Sequence, residues 1–227
     1  MIDRMASRVA TVSWPKDGAY RVARKKQALE YSSLAPEDAD VSSGNRFDVV
    51  GGEVLYAGSN LDACFGETLG RMRPSPALML EIGKHDHGQM NAGTLPQSWR
   101  DDRVIAKIDC IDPCPFVDVD QVATLQHISV ALAPELEQLG YRDILDQAAI
   151  RGRDRRLTRL IARWAYTATT DDKFAYSGIK YSSRISGKWV CWAIFKGTEI
   201  AMNGERSIPR DEKSLRKVAA EFDLTVM

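Results

Sequence analysis

Apolar residues recur along this chain with two periods: two, as in half-buried strands, and between three and four, as in amphipathic helices. A polar lead over residues 1–18 closes on Pro15 to Gly18, and Ala19-Tyr20-Arg21-Val22-Ala23 then alternates as a short strand that Arg24, Lys25 and Lys26 end with charge. Glu30 to Gly44, with Pro36, Glu37, Asp38, Asp40, Ser32, Ser33 and Ser42, predicts an exposed loop or a frayed helix. Val54 to Ala57 predicts a strand entered through the Gly51-Gly52 turn. A helix follows, with Ser59 or Asn60 suited to cap it, Leu61, Cys64, Phe65, Thr68, Leu69 and Met72 at helical spacing, and Pro74 beyond its end.

Ala77 to Ile82 and Val104 to Ile111 predict two more strands, joined by a polar connection that includes Trp99. From Asp118 the pattern turns helical. The longest helical segment runs from about Arg151 to Tyr166, with Leu157, Leu160, Ile161 and Trp164 on one face and Arg153, Arg155, Arg156, Arg159 and Arg163 on a solvated one. Three strand-like runs follow at Gly178 to Ser183, Trp189 to Phe195 and Glu199 to Asn203. A last amphipathic helix within residues 210–223 presents Leu215, Val218, Ala219 and Phe222. Helices and strands interleave without a βαβ rhythm, so the expected class is α+β, with mixed, short-stranded sheets.

Composition removes several functions. The 227 residues carry 31 Lys and Arg against 31 Asp and Glu, and this balance argues against direct binding of nucleic acid, which selects a basic excess. It leaves a single small anion open. No apolar run approaches the roughly 18 residues of a membrane span, and the N-terminus lacks the apolar core of a secretory signal, so a cytoplasmic protein is expected. The four cysteines include one pair four apart, Cys110 and Cys114, which lacks the spacing of a zinc or redox motif. His85 and His87 lie in a Gly- and Asp-containing stretch that reads as a surface turn, and no metal is expected. Dinucleotide-binding GxGxxG, the phosphate loop GxxxxGK[ST], the GxSxG elbow and a hydrolytic triad are all missing.

The residues able to carry chemistry cluster around the first strand–helix unit. Glu67 falls eleven residues after Tyr56, so both can face one cleft at the end of the Val54 strand. Ala63, Cys64 and Gly70 surround Glu67 at helical spacings, which would partly bury its carboxylate. Helix geometry by itself favours a wet i, i+4 pair between Glu67 and Arg71. Arg46 stands at a loop-to-strand junction and Arg21 in mid-strand between alanines; either can point inward as a rigid fork for phosphate or carboxylate. Tyr176 to Arg184 forms a glycine-containing strand ending in Ser182, Ser183 and Arg184. Those hydroxyls suit a turn or a sugar.

Tyr20-Arg21-Val22, Asn45-Arg46-Phe47-Asp48 before the Gly-Gly turn, Val54-Leu55-Tyr56-Ala57-Gly58-Ser59, Glu67, Gly178-Ile179-Lys180-Tyr181-Ser182-Ser183-Arg184 and Trp192-Ala193-Ile194-Phe195 together resemble the RES domain family. The resemblance covers Ala19 to Phe195. It implies one domain over residues 19–227, with a core over 19–195 and an added C-terminal helix, and a fold similar to that of ADP-ribosyltransferases. It further implies a toxin of a bacterial toxin–antitoxin pair that takes NAD+ as its substrate, with a helix-turn-helix antitoxin of the Xre type as partner; a homodimer is compatible with it. Family members break NAD+ down by hydrolysis or phosphorolysis, or transfer its ADP-ribose to a protein. Carried over by position, Arg21 and Arg46 match the motif arginines, Tyr56 the tyrosine, Glu67 the helix glutamate, and Ser183 the serine, with Ser182 as the alternative. Glu67, Arg46 and Tyr56 are then the expected catalytic residues, and Arg21, Arg46, Tyr56 and Ser183 the expected NAD contacts. A protein ADP-ribosyltransferase is the first alternative. A nucleic-acid or partner-binding module built on the basic helix Arg151 to Arg163 is the second.

Overall fold

A computed structural model of the chain describes residues 8–40, 44–85 and 93–227; Ser42 and His87 lie outside them. In chain order the strands and helices are β1 (Thr11–Val12), β2 (Ala19–Arg24), β3 (Ser32–Ser33), β4 (Glu53–Gly58), α1 (Leu61–Leu69), α2 (Pro76–His85), β5 (Thr94–Leu95), α3 (Gln97–Asp101), β6 (Arg103–Cys110) and β7 (Phe116–Asp118). There follow α4 (Val122–Ala131), α5 (Ala133–Gln138), α6 (Gln147–Arg151), α7 (Arg155–Thr167), β8 (Thr169–Thr170), β9 (Lys173–Phe174), β10 (Gly178–Ser182), β11 (Val190–Phe195), β12 (Ile200–Ser207), α8 (Lys213–Glu221) and β13 (Thr225–Val226). The class is α+β, as the interleaving implies.

One mixed sheet organises the chain in the order β1-β7-β10-β11-β4-β2-β6-β12, with β3 beside β4. Only β7 and β10 run parallel within it. Side-chain alternation divides two cores between its faces. Val54, Cys191, Ala193, Phe195, Ile179 and Tyr181 face the helices with Phe65, Leu69, Leu157 and Ile161. Leu55, Ala57, Trp192, Ile194, Ala19 and Ile108 face the other way. The sheet changes character at its middle. β4 and β11 pair over five residues, and β2 and β6 over six, but β2 meets β4 only at Tyr20↔Gly58. Beyond that pair the two strands part.

Local chemistry accounts for the helix that closes the fork. The Asn60 side chain accepts from the Ala63 N–H at 2.9 Å and starts α1, as an N-cap should. Neighbouring Ser59 instead accepts from Trp192 Nε1 at 2.8 Å. Ala63, Cys64, Phe65, Gly66 and Leu69 are buried, and α8 packs against α1 with an ion pair from Lys217 to Asp62.

Several expectations change. Ala77 to Ile82 belongs to helix α2, not a strand: Pro76 is pre-set for a first helical turn, and Ala77, Leu78, Met79, Leu80 and Glu81 are strong helix formers. His85 sits at the end of this helix rather than in a turn. The long helix is broken at residues 152–154, where Asp154 caps α7 by accepting from the Arg156 N–H. Its basic face is not uniformly wet, because Arg159 is buried and donates to the carbonyls of Asp38 and Ala39. The polar lead enters the fold through β1, and Trp14 packs on Trp192 and Phe116 while bonding Asp109. The sheet continues past residue 195 in β12, which lies along β6.

Gly66 marks a close approach, since a Cβ there would collide with the Trp189 ring. Gly66→Ala is expected to destabilise the protein by about 1–3 kcal/mol through overpacking, a Tm drop of about 2–4 °C per kcal/mol. A Tm at or above wild type in a thermal melt would contradict this packing.

Candidate active site

The parting of β2 from β4 opens a cleft of about 510 Å³ on the helix-bearing face, within the range typical of small-molecule sites. Its walls include Tyr20, Arg21 and Val22 of β2, Tyr56, Ala57 and Gly58 of β4, and Cys64 and Glu67 of α1, with Tyr181 and Cys191 behind them. The fork is braced by side chains. Arg21 donates from Nη1 to the Tyr56 carbonyl at 3.2 Å and from Nη2 to the Glu30 carbonyl at 3.0 Å, replacing the strand that β4 lacks here. The Cys64 thiol donates to the Tyr20 carbonyl at 3.0 Å, and burial pushes its pKa up to about 12, so it is a structural thiol and not a nucleophile.

Arg46 is buried and clamps two elements. Nη2 donates to the Ile150 carbonyl of α6 at 2.6 Å and Nη1 to the Ser182 carbonyl of β10 at 3.2 Å, while its guanidinium lies 5.1 Å from the Tyr181 ring centroid. Its Nε–H finds no partner among the described residues. Burial lowers its pKa, and the charges of Tyr181 and Glu67 work against that fall. Tyr56 is half-buried and its hydroxyl donates to Asp48 Oδ1 at 2.8 Å. Burial, then the Asp48 charge, raises the Tyr56 pKa well above the ordinary tyrosine value. Asp48 is almost fully buried and also accepts from the Asn45 backbone N–H at 2.6 Å and the Asn45 side-chain amide at 3.4 Å.

Glu67 is exposed to the cleft, not partly buried, and no hydrogen bond or ion pair joins its carboxylate to Arg71 or to another described residue. Its carboxylate stands alone among the lining residues against seven arginines: Arg21, Arg46, Arg71, Arg73, Arg103, Arg155 and Arg184. A chain of zero net charge thus holds a strongly positive cleft. The guanidinium groups of Arg71, Arg155 and Arg184 make no hydrogen bond or ion pair with any described residue. Burial lowers the Arg155 pKa, and repulsion from Arg46 and Arg184 lowers it further. Such an arrangement favours an anion.

The structure brings Arg21, Arg46, Tyr56 and Glu67 to one cleft. It does not bring the serines. Ser183 is fully buried, with its hydroxyl accepting from the Ile185 N–H at 3.0 Å and its own N–H bonded to the Trp189 carbonyl. Ser182 points to the other face and donates to Asp120 at 2.8 Å within a Lys180–Asp118–Asp120 cluster. Ser183 therefore shapes the turn that presents Arg184 and Ile185 to the cleft. Asp48, Arg155 and Arg184 are the residues the motif reading passes over. A signal for Asp48 exists in its spacing from Asn45, since an Asp side chain can reach back three residues to a backbone N–H.

The protein is thus an α+β domain whose mixed sheet forks at its centre, with a helix carboxylate over an arginine-lined gap. The chain belongs to the RES domain family, whose model matches residues 19–214. Among solved structures it is similar to a chain of the crystal structure of the M. tuberculosis MbcT-MbcA toxin-antitoxin complex, at 12% identity with a TM-score of 0.49, covering 96% of this chain and 94% of that one. No curated protein matches. Among the described residues, no helix is long and apolar enough to cross a membrane and no group of three or more His, Cys, Asp or Glu is placed to hold a metal ion.

Tyr56→Phe removes one donor from the buried Asp48 carboxylate, a loss worth about 1–3 kcal/mol. A lower urea midpoint at unchanged m-value is expected. The raised tyrosine pKa contributes stability that is whole below about pH 10, the unperturbed value, and is lost as pH rises through the folded value. The gap between wild type and variant should therefore narrow in alkali. Equal midpoints at neutral pH would remove the Asp48 bond from the account.

Proposed function

We propose that this chain is an NAD+-consuming toxin that cleaves the nicotinamide–ribose bond and is held in check by a helix-turn-helix antitoxin of the Xre type covering the cleft. The observation that carries this reading is Glu67, an unpartnered carboxylate in a cleft otherwise lined by arginines. Membership of the RES domain family supports it.

The residue types suit the reaction. When the C1′–N bond of NAD+ breaks, its electron pair leaves with nicotinamide, which is a neutral pyridine, so no acid need protonate the leaving group. Positive charge develops on the ribose ring, as in glycoside hydrolysis. Glu67 stabilises that charge or holds a ribose hydroxyl. Tyr56, fixed by Asp48, offers its ring to the ribose or the nicotinamide. Arg155 and Arg184 hold the diphosphate, with help from the N–H groups that Arg21 and Arg46 leave uncommitted. Water, the acceptor assigned here, then adds its oxygen to C1′ and gives its proton to solvent. Phosphate or a protein side chain would attack the same carbon.

Nicotinamide release from NAD+ by the purified chain tests this, in buffers with and without phosphate. Glu67→Gln is expected to lower turnover by about 10²–10³-fold, the usual effect of removing one electrostatic group aimed at developing charge. Undiminished turnover in the variant would take the role from Glu67, and an inactive wild type would overturn the reading.

A further inference from the structure

The cleft arginines are more numerous than one diphosphate needs, and the strand order sets them on two sides. Arg155 begins α7, which packs on β10, and Arg184 follows β10; Arg103 begins β6. Along the sheet the order is β10-β11-β4-β2-β6, so the two groups are rooted on opposite sides of the fork between β4 and β2.

The β6 group is pre-built. Arg103 donates from Nη1 to the Trp99 carbonyl at 3.1 Å, and its guanidinium stacks 4.6 Å from the Trp99 ring centroid, which fixes the fork while leaving its other N–H groups uncommitted. Across the ladder Arg103 faces Arg24 directly. Like charges in a cross-strand pair destabilise a sheet, and Arg24 lowers the Arg103 pKa after burial does, with Asp102 the carboxylate that opposes it. Arg24 is exposed, and its side chain has no hydrogen bond or ion pair among the described residues. A paired, ring-stacked arginine at the edge of a positive cleft is suited to a phosphomonoester dianion.

We propose, building on the NAD+ reading above, that the cleft ends in a second phosphate subsite, formed by its lining residue Arg103 and by Arg24 just outside it on the neighbouring strand, and prefers dinucleotides that carry a 2′-phosphate on the adenosine ribose, the NADP+ class. A diphosphate supplies anionic charge at one place only. A ligand that satisfies both groups carries a separate second phosphate, and a nearby arginine is a general means of accommodating a 2′-phosphate.

Calorimetric titration of the full chain with ADP-ribose and with 2′-phospho-ADP-ribose, at one fixed ionic strength, tests the subsite without turnover. The phosphorylated ligand is expected to bind at least about tenfold more tightly, as one charge-assisted phosphate contact allows. Arg24→Gln/Arg103→Gln should bring the two ligands to equal affinity, whereas Arg155→Gln should weaken both by the same factor. Equal affinity in the wild type, or a preference that survives the double substitution, overturns the subsite and leaves the NAD+ reading standing. Binding of neither ligand overturns both.

Discussion

Tyr20 and Gly58 form the single paired position between β2 and β4, and everything functional in the molecule is arranged around the gap that opens beside it. A sheet that parts at its centre leaves backbone groups without partners, and each buried one costs about 1–3 kcal/mol if it stays unpaired. Here the groups are met from the side: Arg21 serves the Tyr56 carbonyl and the Cys64 thiol serves that of Tyr20. The fork stays open because side chains, not a neighbouring strand, satisfy it. α1 then lies over the opening and carries Glu67 to its edge.

The same accounting explains how so many arginines share one cleft. Arg21 and Arg46 are tied to carbonyls, two apiece, and lose little freedom that a ligand would need. Arg46 in particular joins α6 to β10 and holds the Tyr181 face of the cleft. Its substitution would therefore disturb both scaffold and site. Arg155 and Arg184 have no such anchors and repel one another, so their charge is available to an incoming anion. Zero net charge and a positive cleft are compatible because the balancing carboxylates lie elsewhere, at Asp118 and Asp120 behind β10 and in the loop carrying Glu37, Asp38 and Asp40.

Local order is legible wherever neighbouring residues settle it. Asn60 capping a helix of small and apolar residues, the amphipathic α7 and α8, and the alternation through β2, β4, β10 and β11 all follow from spacing within a few residues. The strand expected at Ala77 to Ile82 fails because apolar content alone does not choose between helix and strand. Pro76 and a run free of β-branching before Ile82 decide for helix. Tyr56 and Glu67 can be paired in sequence because their spacing lies within one strand–helix unit, β4 to α1, whereas Arg21 and Arg46 stand on other segments and join them through the family resemblance.

Ser183 and Arg159 show where that legibility ends. Alternation and exposure are properties of whole faces. Which face is covered depends on how the chain folds back: the turn through Ile185 and Trp189 closes over Ser183, and the carbonyls of Asp38 and Ala39, more than a hundred residues away, close over Arg159. Asp48 matters because a tyrosine eight residues later bends back onto it, and Arg155 because α7 docks on β10. The sequence by itself determined the α+β class, the start of α1 at Ser59 or Asn60, the family motif and the neutrality of the chain, all of which rest on residue type and short spacing. Tertiary structure alone decided that the central sheet forks, that seven arginines gather about one free carboxylate, and that the motif serine shapes the wall from behind. Those outcomes depend on contacts made when elements pack and the chain turns back on itself, which no local period encodes.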